Sequence, residues 1–240
     1  PEERSGNPIE DALRAELTSL ANQRNILSYA LSDRQGKVLI NSSTPQEEID
    51  TLPEGFDLAL TDPLYLNNVL LTGLPYVSPV VFGSIFDQPV IFFATRVNDA
   101  EGIPIGIVFA IHKATTLQEE VFLNNGLAGT GSFAILVDEN LLRLGHGSDP
   151  TTLYSFVSPP ADEEIKELIS SRRIPVEAVS QTSAAYQDFV DGLASITPQR
   201  PFFSTQDISQ GTMLQSAAAV SMPEASWTLV FMQPQAAFLE

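Results

Sequence analysis

The chain has 240 residues, with 12 Lys and Arg against 30 Asp and Glu, a formal net charge of −18 and no cysteine. That length fits one large domain or two of about 100–120 residues. The negative charge speaks against nucleic acid and anionic lipid surfaces as partners, and the lack of cysteine excludes a disulfide scaffold, a thiol nucleophile and a cysteine metal site. A composition of 43% apolar and 18% charged residues is that of a folded protein. No run of about 18 apolar residues offers a membrane span.

In chain order, residues 1–8 are polar and expected to fray. Residues 9–25 predict a helix, because Ile9, Leu13, Leu17 and Leu20 recur at helical spacing. Asn7-Pro8 supplies a cap followed by a first-turn proline. The apolar stripe packs against a sheet or forms a dimer seam. Residues 27–41, LSYALSDRQGKVLIN, read as a strand, a turn at 33–37 and a return strand. Residues 45–63 are acidic and proline-punctuated, with a short helix at 56–60. Residues 64–72 are apolar around an asparagine pair. Residues 74–82 are extended, since Pro75 and Pro79 keep them from helix, and 83–88 turn. The clearest hairpin of the first half runs through 90–97, a turn at 98–102 and 103–111.

Residues 115–125 predict a helix capped by Thr115 or Thr116 with Glu119, and stopped by Gly126. Residues 126–148, GLAGTGSFAILVDENLLRLGHGS, repeat the plan of 27–41: a glycine turn, a strand at 132–138, an acidic turn and a second strand at 141–145. A loop follows at 148–151, an apolar stretch at 153–157 and a break at Pro159-Pro160. Helices are expected at 162–171 and 176–193. Strands are expected at 202–206, 212–221 and 226–232, with a turn at 222–225. The order predicts an α+β fold: an N-terminal helix (1–26), a first module (27–113), a connecting helix (114–127) and a second module (128–234). Residues 235–240 are the start of a further helix or an expression-vector scar. Since the sequence starts at Pro1 and stops as a helix begins at 233–240, a piece of a longer protein is expected.

No catalytic set emerges. His112 and His146 lie in different halves, and the GHGS around His146 lacks the strand–turn–helix setting of a nucleophile elbow. Both histidines are read as structural. Gly126, Gly129 and Gly131 follow a helix and open a strand, the wrong polarity for a phosphate cradle. The pairs Glu47-Glu48, Glu119-Glu120 and Glu163-Glu164 sit in polar segments and read as solvated faces. No calcium-loop spacing occurs. Asn41-Ser42-Ser43 matches the N-glycosylation pattern, which matters only in a eukaryotic secretory pathway. Neither a cofactor nor a metal is expected, and the chain is not read as an enzyme.

One region is chemically unusual. No basic residue occurs between Lys37 and Arg96, while Tyr76, Phe82, Phe86, Phe92 and Phe93 cluster there. These aromatics form plain core, or they line an apolar pocket whose polar groups are Tyr76, Ser78 and Arg96.

Four stretches, in this order, resemble the double Cache sensor domains, the extracytoplasmic portions of bacterial receptors. They are SYALSDRQGKVLINS, GLPYVSPVVFGSIFDQPVIFFATRVNDAEGIPIGIVFAIH, GTGSFAILVDENLLRLGHGSDP and SWTLVFMQP. The resemblance implies two tandem PAS-like modules, each an antiparallel sheet flanked by helices, with the membrane-distal one commonly holding the ligand. In its amino-acid-sensing members an Arg and a Trp hold the carboxylate, and a Tyr and two acids hold the amine. Tyr76 matches that tyrosine, but Ser78 and Ile111 stand where the acids belong, and no Arg or Trp precedes Tyr76 in that segment. A zwitterion would lack partners, and burying it unpaired is costly. The expected ligand is therefore a neutral or apolar small molecule held by Tyr76, Ser78, Phe86, Phe92, Arg96, Phe109 and Ile111. The implied protein is a membrane-anchored histidine kinase, cyclase or chemoreceptor, with homodimerisation an option. The alternative is a ligand-free interaction or dimerisation module of the same fold.

Overall fold

The computed structural model describes residues 8–24, 26–44, 63–82, 88–175, 186–206 and 213–238. Phe86, Asn7, the Glu47-Glu48 pair, the expected helix at 56–60 and the first part of that at 176–193 lie outside these. The chain divides into two compact units, Pro1–Lys113 and Ala114–Glu240.

The first unit contains helix α1 (Pro8–Arg24), strands β1 (Ser28–Asp33) and β2 (Val38–Asn41), helix α2 (Pro63–Thr72), and strands β3 (Tyr76–Val77), β4 (Val90–Asn98) and β5 (Pro104–Lys113). The second contains helix α3 (Thr115–Leu123), strands β6 (Phe133–Asp138) and β7 (Arg143–His146), helices α4 (Asp162–Ser170) and α5 (Gln187–Ser195), and strands β8 (Phe202–Gln206), β9 (Leu214–Met222) and β10 (Trp227–Pro234). Each unit builds one five-stranded antiparallel sheet. The strand orders are β2-β1-β5-β4-β3 and β7-β6-β10-β9-β8, so the topology is the same in both. The α+β fold of two related modules is what the sequence pattern led us to expect.

Three hairpins share one turn. In each, an aspartate at or just past the end of the first strand donates its N–H to the carbonyl of the residue four places on, and its Oδ1 accepts the N–H groups at the second and fourth positions after it. For Asp33 these donors are Gln35 and Lys37, both at 2.9 Å. For Asp99 they are Glu101 at 3.1 Å and Ile103 at 2.7 Å. For Asp138 they are Asn140 and Leu142, both at 2.9 Å. The third position after the aspartate is left-handed: Gly36 at φ +85°, Gly102 at +83° and Leu141 at +61°. Two glycines meet that demand without strain. Leu141 meets it with a side chain that packs against the core of the second sheet.

Only part of the N-terminal stripe is used. Leu17 and Ala21 are buried, whereas Ile9 is 76% exposed. The helix is tied to the end of β2 by polar bonds instead. Arg14 donates to the Asn41 and Thr44 carbonyls, and the Thr18 hydroxyl donates to the Ser42 carbonyl at 3.0 Å. The expected threonine cap on α3 does not form. Ala114 occupies the cap position with no side-chain hydrogen bond, and the helix ends at Leu123 with Asn124 as its C-cap, before Gly126. α3 lies on β6 and β7 of the second sheet, where a Cβ on Gly145 would come within 2.7 Å of Val121. The opposite face of that sheet is covered by Val157, Phe189 and Leu193.

Burial decides how the third turn titrates. Asp138 is buried, and desolvation, helped by the neighbouring Glu139, lifts its carboxyl from 3.8 to about 6. The Leu142 and Asn140 N–H groups and Arg173, 3.4 Å away, oppose the rise. A carboxyl whose folded pKa lies above its unfolded value favours the fold at low pH, and that contribution disappears as pH rises through the folded pKa. Asp138→Asn keeps the Oδ1 acceptor but cannot ionise. The unfolding free energy of the parent chain relative to D138N should therefore fall between pH 4 and pH 7, by up to about 3 kcal/mol. Urea melts at stepped pH measure it; a difference that stays flat across that range contradicts the assignment.

Candidate functional site

The β4–β5 register places the expected site residues. Phe92 faces Ile111, Ala94 faces Phe109, and Arg96 faces Ile107. Tyr76 on β3 faces Ala94. Since side chains alternate along a strand, Tyr76, Phe92, Ala94, Arg96, Phe109 and Ile111 all stand on one side of the sheet. Diagonal cross-strand neighbours lie within reach of long side chains, so Phe92 and Arg96 flank Tyr76 across the small Ala94.

Within this set the roles differ. Phe92, Phe109 and Ile111 are buried and pack with Val69, Val81 and Val90. The Phe92 and Phe109 rings meet edge-on at 5.9 Å. Tyr76 is half-buried, its ring centroid 6.4 Å from that of Phe92. Ser78 is fully buried, and its hydroxyl is occupied: it accepts the Phe92 N–H at 2.9 Å and donates to the Pro79 carbonyl at 2.7 Å. The reason is local. The chain leaves the ladder at Pro79 and rejoins it at Val81, so the Ser78 hydroxyl takes the amide that a continuous strand would have bonded.

Arg96 is half-buried at the far edge of this face. Its Nη1 donates to the Leu70 carbonyl at 3.3 Å, near the C-terminal end of α2, where the helix dipole favours a cation. The guanidinium lies against Gly73, where a Cβ would come within 2.7 Å of Cζ. Gly73 ends α2 in the left-handed region at φ +71°, its N–H bonded to the Val69 carbonyl at 3.0 Å. Sequence reasoning did not assign α2 or Gly73 to the site. The signal was there: proline at the first helical position and glycine just past the last.

The histidines stand apart from this face. His112 is on the other side of β5, edge-on to Phe93 at 5.3 Å, with burial holding its pKa below the usual value. His146 is fully buried in the second unit, stacked on Phe133 at 5.5 Å, and its Nδ1 accepts the Asp149 N–H at 3.0 Å. The second unit also buries Arg143. Its Nη1 donates to Ser155 Oγ at 2.8 Å and to the Phe156 carbonyl at 2.9 Å, and desolvation pulls it down to about 10.

A groove of about 690 Å³ opens along β8, β9 and β10, bordered by Arg200, Phe202, Ser204, Ser216, Phe231 and Gln233. Among the described residues no group of three or more His, Cys, Asp and Glu could hold a metal, and no helix is long and apolar enough to cross a membrane.

No family model matches the sequence, and no curated protein matches it. Solved structures do. The sensor domain of the histidine kinase DctB from V. cholerae superposes with a TM-score of 0.64 at 14% identity, covering 94% of this chain and 79% of that one. The periplasmic domain of RsbU from Chlamydia trachomatis gives 0.62 at 12% identity, covering 95% and 77%. The ligand-binding domain of the Pseudomonas fluorescens chemoreceptor CtaA, in complex with L-serine, gives 0.58 at 17% identity, covering 97% and 82%. The fold of this chain is that of the double Cache sensor domains.

Proposed function

We propose that this chain is the extracytoplasmic ligand-sensing domain of a bacterial signal-transduction receptor, and that a small molecule with an apolar body binds in the first, membrane-distal module. The observation that carries this reading is the shared face of β3 and β4. It presents a half-buried tyrosine and a half-buried arginine beside an aromatic core. An apolar wall with a few placed polar groups is the usual make-up of a small-molecule site. The neighbouring folds support it, being sensor and ligand-binding domains. On this reading the chain is not an enzyme: the guest is bound and released unchanged, and it acts by preferring one of two conformations of the receptor.

A ligand at 100 times its Kd stabilises the folded state by about 2.7 kcal/mol. A thermal-shift screen of metabolites should therefore reveal stabilisers, and Tyr76→Ala and Arg96→Ala should each abolish the shift. Stabilisation that survives both substitutions contradicts the placement.

A second reading, an interaction or dimerisation module, has its own support. Phe202 is 67% and Val220 62% exposed, and Phe202, Ala218 and Phe231 lie abreast on adjacent strands beside the groove. Apolar surface of this kind marks contact sites. Light scattering should then show a dimer that Phe202→Ser combined with Val220→Thr dissociates. A monomer at all concentrations removes this reading.

A further inference from the structure

Arg96 is the only Lys or Arg between Lys37 and Lys113. It sits in a chain of net charge −18, yet the ion pairs among the described residues join Lys166 to Glu163 and Arg173 to Asp138 and Glu139, and none involves Arg96. Its one hydrogen bond among the described residues reaches a neutral carbonyl, that of Leu70 at 3.3 Å. An arginine carries five N–H donors in a planar fork, and a carboxylate matches that fork with two parallel bonds. Surface arginines are solvated and need no partner. This one is half-buried on the core-facing side of β4, beside Tyr76 and Phe92.

Among the described residues, the face of β3, β4 and β5 around Arg96 carries no acid to hold an ammonium group. Ser78 and Ile111 are buried, the Ser78 hydroxyl is engaged by the backbone, and Asp99, beyond the end of β4, has its Oδ1 on the Glu101 and Ile103 amides. Among the described residues a zwitterion would therefore find a partner for its negative end and none for its positive end. Multiply charged anions meet one guanidinium inside a strongly negative chain and are disfavoured.

We infer that Arg96 is the receptor for a single carboxylate on an otherwise apolar ligand, so that the molecule sensed is a small monocarboxylic acid without an amino group. This rests on the distal site proposed above. It adds one negative charge to the neutral ligand that the sequence alone suggests. Gly73 positions the fork: the guanidinium lies where a Cβ would otherwise stand. Tyr76, diagonal to Arg96 on β3, sits beside the point where head group and apolar body join.

The test uses three probes with one six-carbon chain and different heads: hexanoate, hexanamide and 2-aminohexanoate. Calorimetric titration of the parent chain should show hexanoate binding at least about tenfold tighter than either of the others, a 1.4 kcal/mol preference. Arg96→Gln should erase that preference, and Arg96→Lys, which keeps the charge but loses the fork, should retain part of it. Thermal melts of both variants without probe establish that each folds. If hexanamide or 2-aminohexanoate binds as well as hexanoate, and Tyr76→Ala abolishes that binding, the distal site stands and the carboxylate inference falls. Should hexanoate binding be indifferent to Arg96→Gln and Tyr76→Ala alike, the distal site itself falls. Failure of all three probes to bind overturns the carboxylate inference.

Discussion

Three aspartate carboxylates, at Asp33, Asp99 and Asp138, each gather two backbone amides and so fix where a hairpin turns. Everything proposed for the first module depends on the middle one. A slip of one residue would send every side chain of a strand to the opposite face. The Asp99 turn closes the β4–β5 hairpin in the one register that puts Phe92, Ala94 and Arg96 on the core side and Phe93 with His112 on the other. The site is thus a consequence of a turn more than ten residues away from Tyr76.

The two modules use one topology for different ends. In the second, polar groups are drawn inside and bonded by backbone and hydroxyl partners: Arg143 on Ser155 and Phe156, His146 on Asp149, Asp138 on its own turn. A buried group matched in this way holds the structure, since losing a partner leaves the full desolvation penalty. In the first module the corresponding polar resource, Arg96, stays half-buried and bonds only a carbonyl among the described residues. That asymmetry assigns sensing to the first module under the function proposed here. The second keeps Phe202 and Val220 exposed.

Much of this was legible in the sequence because hairpins announce themselves. Alternating apolar residues around DRQGK, DAEGI and DENLL located six strands, and the likeness of the two halves followed from their order. Burial was less legible. Ile9 and Leu17 look equivalent in a helical stripe, but only Leu17 is covered, because polar bonds from Arg14 and Thr18 fix how α1 meets β2. The capping pattern at Thr115 and Thr116 failed because the chain enters α3 directly from β5 with Ala114 already in helical geometry, leaving no extended residue to cap from. Arg96 was marked as a pocket residue from its type and Tyr76 from its type and the family resemblance. That Ser78 serves the ladder instead is a matter of which amide is left over beside Pro79, and no composition or period reports it.

The most direct test is a crystal structure of the chain purified without added ligand. The account predicts electron density, not continuous with the protein, above Ala94 and within hydrogen-bond reach of the Arg96 guanidinium. A carboxylate of the chain itself seated on Arg96, with side chains closing the space in front of Tyr76, would contradict it.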